Sequence, residues 1–137
     1  MKAPAAPTAL LYDADCGFCR WCVARVLAWD RRRALRPVPI QGPEGEALLA
    51  GLDQAARMDS WHLVEAGGRR TSAGAAVAPL ARILPGGLPA ARVAERFPKA
   101  VEWAYRTVVR RRGLLGRLVT AGAARRARAR IAERSSP

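Results

Sequence analysis

The chain has 137 residues, half of them hydrophobic, and a net charge of +13 from 24 basic and 11 acidic residues. That length suits one domain with a sizeable core, and that apolar content excludes disorder throughout. The charge is uneven: residues 99–137 hold 11 of the basic residues and 2 of the acidic ones. The excess is therefore mostly a property of the C-terminal segment.

The N-terminal stretch Met1-Lys2-Ala3-Pro4-Ala5-Ala6-Pro7 carries one charge and no long apolar run. It is expected to be disordered, and it lacks the apolar centre of a signal peptide. No stretch approaches the roughly 18 unbroken apolar residues of a membrane span. Thr8 to Asp13 predicts a first strand, and Gly17 to about Arg31 a first helix. Asp30-Arg31-Arg32-Arg33 is a charged turn. Ala34 to Ile40 predicts a second strand, which Pro37 and Pro39 assign to a sheet edge because proline donates nothing to a ladder. That order makes a βαβ unit.

A second helix is expected over about Gly45 to Leu52, with acids in its first turn. Trp61 to Glu65 and Arg69 to Ser72 form a hairpin around Gly67-Gly68. Ser72 is placed to cap the next helix, about Ala73 to Leu84, which Pro79 either kinks or delays to near Val77. Pro85-Gly86-Gly87 ends it. A short helix over Pro89 to Arg96 is followed by a longer one, about Lys99 to Arg112. Val101, Ala104, Tyr105, Val108 and Val109 give the longer helix an apolar stripe that packs on the domain. Gly113 and Gly116 are expected to loosen the segment after that helix, and Ala121 to Arg134 is nearly all Ala and Arg. It predicts a protruding or frayed helix, ending in a disordered Ser135-Ser136-Pro137. The fold class is thus α/β. The core is thioredoxin-like, βαβ then ββα on a mixed four-stranded sheet, over residues 8–112, and residues 113–137 form a basic helical extension.

The chemistry concentrates where the first strand meets the first helix, in Tyr12-Asp13-Ala14-Asp15-Cys16-Gly17-Phe18-Cys19-Arg20. A helix N-terminus stabilises a thiolate, and cysteines three apart in a first turn can close a disulfide. Cys16 is then the exposed attacking thiolate and Cys19 the resolving thiol. Asp13, Asp15, Gly17, Phe18 and Arg20 support the pair. Asp15 either caps the helix or opposes a thiolate on Cys16 by its charge, which Arg20 would offset. Three clustered cysteines are not a disulfide framework and indicate redox or metal chemistry. Cys22 would extend a metal-like spacing, but a second pair is missing and His62 is the only histidine. No metal is assigned. Cys22 is taken as a small core residue, with a disulfide to Cys19 as the alternative.

Across the sheet, Met58, Asp59, Ser60 and His62 are placed to face the dithiol. Asp59 is a candidate base for Cys19; His62 is read as a strand residue half covered by its neighbours, with a proton shuttle for Cys19 as the alternative. Thioredoxins proper have a cis-proline before this strand. Here no proline lies between Pro43 and Pro79.

The run Tyr12-Asp13-Ala14-Asp15-Cys16-x-x-Cys19 resembles the signature of the DCC family of thiol-disulfide oxidoreductases. The resemblance extends over roughly residues 8–118, through Trp29-Asp30, Ile40-Gln41, Trp61-His62-Leu63-Val64, Leu84-Pro85, Trp103-x-Tyr105 and Arg112. It implies a thioredoxin-like fold and a dithiol-disulfide site at Cys16 and Cys19. Ala14 stands where the family usually has glycine, so an ordinary backbone is expected there. Arg111 replaces an asparagine usual in the family, so a shared role at that residue is not carried over. The expected activity is thiol-disulfide exchange without an organic cofactor, on a protein or small-molecule thiol or disulfide, in the cytoplasm. The alternative is a non-catalytic binding module that uses the basic C-terminus, with the cysteines structural or metal-bound. An acidic partner suits that segment. Nucleic acid does not, because no aromatic residue follows Tyr105.

Overall fold

A computed structural model describes residues 6–135. Residues 1–5 and 136–137, on which the expected disorder at the two ends partly falls, lie outside the described residues. The chain runs β1 (Thr8–Tyr12), α1 (Gly17–Trp29), β2 (Leu35–Pro39), α2 (Pro43–Leu48), α3 (Gln54–Asp59), β3 (His62–Val64) and β4 (Arg70–Ser72). A 3-10 turn (Ala73–Ala76) then leads to α4 (Val77–Ile83), α5 (Leu88–Arg96), α6 (Pro98–Arg110), α7 (Arg112–Arg117) and α8 (Ala121–Ser135).

The four strands form one sheet in the order β2-β1-β3-β4. β1 is parallel to β2 and antiparallel to β3, and β3 is antiparallel to β4. This is the mixed thioredoxin-like sheet expected from the element order. From Ala9 to Tyr12 the strand β1 is apolar because both its faces are covered. Leu10 and Tyr12 join Val23, Leu27 and Leu63 in one cluster beneath α1, while Ala9 and Leu11 join Val38, Ile40 and Leu49 on the other face. Pro37 and Pro39 lie on the edge strand β2, opposite Leu10 and Tyr12, as their missing N–H groups require. The helix α2 packs tightly on that edge because residue 45 is glycine. A Cβ there would overlap the carbonyls of Pro39 and Ile40.

Four local expectations are corrected. The second helix starts earlier and is shorter, Pro43–Leu48, and an α3 that was not expected follows Asp53, whose carboxylate accepts the Ala56 N–H at 2.8 Å. Ser72 does not cap a helix. Its hydroxyl is engaged with His62, and Pro79 falls in the first turn of an α4 that starts at Val77. The glycines at 113 and 116 do not loosen their segment; it forms α7, and the small Gly116 sits against Phe18 of α1. The largest correction concerns the C-terminal extension. It neither protrudes nor frays: α8 lies against α1 and β2 and buries Ala127 and Ile131. Ser135 is its last residue.

The buried contact that fixes α8 is polar. Asp30, fully buried at the end of α1, pairs with Arg134 at 2.6 Å. The helix α6 rests on the 3-10 turn. The Glu102 carboxylate accepts the Gly74 N–H at 2.8 Å, and the Tyr105 hydroxyl accepts the Trp61 N–H at 3.1 Å. Helices α6 and α7 thereby wall the end of the sheet at which β1 delivers the cysteines.

Candidate active site

Cys16 is itself the N-cap of α1. Its backbone is extended (φ −99°, ψ 113°), and its sulfur accepts the Cys19 N–H at 3.2 Å. That corrects the expectation that Asp15 caps the helix. A backbone N–H aimed at the Cys16 sulfur, at the positive end of the helix, favours negative charge on that atom. All three cysteines stand as free thiols, each half-buried.

The loop before Cys16 is held by a residue from across the sheet edge. Gln41, just past β2, donates to Asp13 Oδ1 at 2.7 Å and to Asp15 Oδ2 at 3.4 Å, and its Oε1 accepts the Ala14 N–H at 3.1 Å. Asp13 Oδ1 also accepts the Asp15 N–H at 2.9 Å, and the Asp13 carbonyl accepts the Cys16 N–H at 3.3 Å. Arg20 donates to the Ala14 carbonyl and does not pair with Asp15. The left-handed non-glycine residues among those described are Arg33 and Ala73, so Ala14 has the ordinary backbone expected of it. Phe18 stacks on Trp21 with centroids 6.1 Å apart, and Arg25 lies over the Trp21 ring.

Cys19, one turn in, is set apart from Cys16 by its surroundings. Burial pushes its thiol well above the ordinary thiol range, and its hydrogen bond and proximity to Cys16 push the same way; the charge of Arg112 opposes them. Burial pushes Cys22 up to about 11, with the nearness of Cys16 adding to it. Cys22 is thus a protonated thiol on the wall of the site. Among the described residues, no group of three or more His, Cys, Asp and Glu side chains is arranged to hold a metal ion.

The structure divides the four residues placed opposite the dithiol. Met58 and Ser60 share a cleft with Cys19. Asp59 does not: its carboxylate is exposed and paired with Arg106 at 2.6 Å. It is no buried base. His62 is buried but on the wrong face. It pairs with Leu11 across β1 and β3, and paired residues share a face, so it sits on the side away from α1. Its Nε2–H donates to the Arg57 carbonyl at 2.9 Å, which leaves Nδ1 to accept the Ser72 hydroxyl at 2.6 Å. Both ring nitrogens are used, and no proton path to Cys19 runs through them.

Burial lowers the proton affinity of His62 below its ordinary value of 6.5. The unfolded chain therefore binds a proton that the native chain refuses, and stability falls as pH drops below about 6.5. Replacing His62 with glutamine is expected to flatten that limb of a stability-against-pH curve measured by urea unfolding. An unchanged limb would show that His62 is not its source.

The polar roles of three residues of this region were not legible in the sequence. Gln41 and Tyr105 act through long-range hydrogen bonds. Arg112 comes from α7 and stands 3.8 Å from Asp13 Oδ2. All three lie in segments that matched the family resemblance, which was the one signal available for them.

A thioredoxin-like sheet that presents a Cys-x-x-Cys pair at the N-terminus of its first helix defines a class of proteins built for dithiol-disulfide chemistry. Within that class the assignment is specific. The family model for DCC1-like thiol-disulfide oxidoreductases matches residues 10–118, and the chain belongs to that family. The comparisons with curated proteins and with solved structures found no match.

Proposed function

We propose that this protein is a thiol-disulfide oxidoreductase in which Cys16 is the nucleophile and Cys19 the resolving thiol. The observation that carries the reading is the asymmetry of the pair. Cys16 caps the helix and receives an N–H on its sulfur, whereas Cys19 is desolvated and held protonated. The Cys16 thiolate attacks a substrate disulfide. A Cys16–substrate disulfide forms, and one substrate half leaves as a thiolate. Cys19 then loses its proton and attacks the Cys16 sulfur. The second half departs as a thiolate that takes up a proton, leaving the Cys16–Cys19 disulfide. Two electrons pass from the protein to the substrate, and a cellular thiol reductant of the glutathione or dithiol type restores the pair. No organic cofactor enters this cycle. A cytoplasmic thiol pool suits the recycling step. Among the described residues, no helix is long and apolar enough to cross a membrane.

The basic C-terminal surface belongs to the proposal as an attraction for an acidic partner. Arg125, Arg126, Arg128 and Arg130 of α8 are exposed. A binding module that depends on this segment alone is less favoured, because α8 is a wall of the fold.

The test is a redox titration in glutathione buffers, read by alkylation and peptide mass spectrometry. Cys16 and Cys19 are expected to lose alkylation together at one potential while Cys22 stays modifiable. If all three remain modifiable throughout, or are protected only until a chelator is added, the oxidoreductase reading fails.

A further inference from the structure

Beside the cysteine pair the surface opens into a cleft of about 280 Å³. Cys19, Cys22, Val23 and Val26 line it from α1, a span of about 10 Å at the helical rise. Its inner end lies on the main core cluster, against which Val26, Trp61 and Leu80 pack. That size falls just below the range of about 300–1,000 Å³ for drug-sized ligands and suits a smaller molecule. Cys16 does not line the cleft; Cys19 does. One cation serves it. The Arg112 guanidinium makes no side-chain hydrogen bond among the described residues; it stands in a long ion pair, at 3.8 Å, with Asp13, which also lines the cleft and whose other oxygen is taken by Gln41.

Three observations define an occupant. The apolar walls call for an apolar body. The hydrogen-bond donors that this long pair leaves open on Arg112, on a chain of net charge +13, call for an anion. An extended peptide is disfavoured. The Trp61 N–H, just before β3, is taken by the Tyr105 hydroxyl at 3.1 Å and so is closed to an added backbone, and Val108 and Val109 of α6 line that side. We propose that the cleft binds a free small-molecule thiol or disulfide built from an apolar body and a carboxylate. The body lies along Cys22, Val23 and Val26, the carboxylate on Arg112, and the sulfur at the cysteine pair. The inference rests on the exchange reading of Cys16 and Cys19 and names its substrate class. The bond changes are those of the exchange cycle: the bound disulfide is reduced to two thiols, and Cys16 and Cys19 are oxidised to a disulfide.

Binding is tested first without sulfur chemistry. Octanoate, octanol and butyrate are titrated into the full-length Cys16→Ser protein by calorimetry, and alkylation of Cys22 is followed in parallel. Octanoate is expected to bind saturably, about tenfold tighter than octanol, as one charge-assisted contact allows. It should also slow Cys22 alkylation; butyrate should do neither. Arg112→Gln should remove the preference for octanoate over octanol, and Arg112→Lys should keep part of it. The proposal is overturned by absence of saturable octanoate binding, by octanol binding as well as octanoate, or by a preference that survives Arg112→Gln.

The second arm gives the wild-type protein the disulfide of a mercapto-octanoate and that of the matching mercapto-alcohol. Faster reduction of the acid, by about the same factor, supports the proposal. Faster reduction of a disulfide-linked peptide than of the acid overturns the choice of a small molecule. If octanoate binds but Cys16 reduces no disulfide, the ligand site stands and the exchange reading falls. If simple disulfides are reduced but octanoate does not bind, the reverse holds.

Discussion

Replacing Arg134 with alanine is expected to cost about 3–5 kcal/mol of folding stability, the range for breaking a buried ion pair by removing one partner. The Asp30 side chain is 0% exposed and that of Arg134 5%. The carboxylate also accepts the N–H groups of Ala34 at 3.0 Å and Leu35 at 2.9 Å, which fixes the turn from α1 into β2. The guanidinium donates to the carbonyls of Leu27 and Leu35, each at 3.0 Å, and to that of Asp30 at 3.4 Å. Two of those carbonyls belong to the C-terminal end of α1, where helix geometry leaves acceptors without partners. Alanine would strand a buried carboxylate and these acceptors together. The control is Arg33→Ala. Its pair with Glu133 spans 3.1 Å between side chains 65% and 55% exposed, and it is expected to cost about 0–1 kcal/mol. Urea unfolding at low and high salt checks both. The Arg134 loss should persist in salt, because a buried pair is poorly screened. A loss below about 1 kcal/mol would mean that the pair contributes no more than a surface contact. Truncation of the chain before α8 is for the same reason no clean test of the basic segment: it would unseat Ile131 from the main core and leave Asp30 unpaired.

This clasp also shows where the sequence stops being informative. The strand β1 was legible because Leu10, Leu11 and Tyr12 are buried on two faces and leave an unbroken apolar run. The place of β2 was legible because Pro37 and Pro39 forbid a central position. The α8 stripe was not. Ala127 and Ile131 are its buried residues, and neither stands out among so many alanines and arginines. Its anchor, Arg134, meets an aspartate 104 positions earlier, and nothing local distinguishes that arginine from its neighbours. The short α3 left a weaker trace, since Asp53 does stand where a cap should.

At the site, the cysteine pair and its helix were legible because a strand, a turn and an amphipathic run follow one another without a gap. The groups around the pair were legible only where parity or a long-range partner did not intervene. His62 could have been excluded by register alone: a residue opposite Leu11 cannot face the same side as one opposite Leu10, and it is Leu10 that lies beneath α1. Asp59 was misplaced because its partner, Arg106, comes from a helix 47 residues further on. Gln41 belongs to the family resemblance, but nothing in the sequence around it names its task. Its role depends on β2 bringing residue 41 back beside residues 13 to 15, which only the parallel pairing of β1 and β2 accomplishes.

The second large effect is kinetic. Replacing Cys19 with serine is expected to leave the attack by Cys16 in place and to stop the cycle at the mixed disulfide. That adduct should accumulate to nearly one equivalent, visible by mass spectrometry of the intact protein. Cys22 should not rescue it, because it lies a further turn along α1, away from the Cys16 sulfur that caps the helix. In the wild-type protein the same physics sets a pH dependence. Burial raises the Cys19 thiol above its ordinary value of 9.0, so its thiolate is scarce at neutral pH. Below the proton-binding midpoint the thiolate fraction grows about tenfold per pH unit. The resolving step, followed by stopped-flow release of a chromophoric thiol from the preformed Cys16 adduct, should therefore accelerate by about that factor per unit from neutrality upward. It should not level off near pH 9 as an ordinary thiol would. A plateau there would show that Cys19 is solvated when it attacks, and that the mixed disulfide opens the site around α6 and Arg112 before resolution. A slope that continues past it would show that the closed site itself restrains the second step.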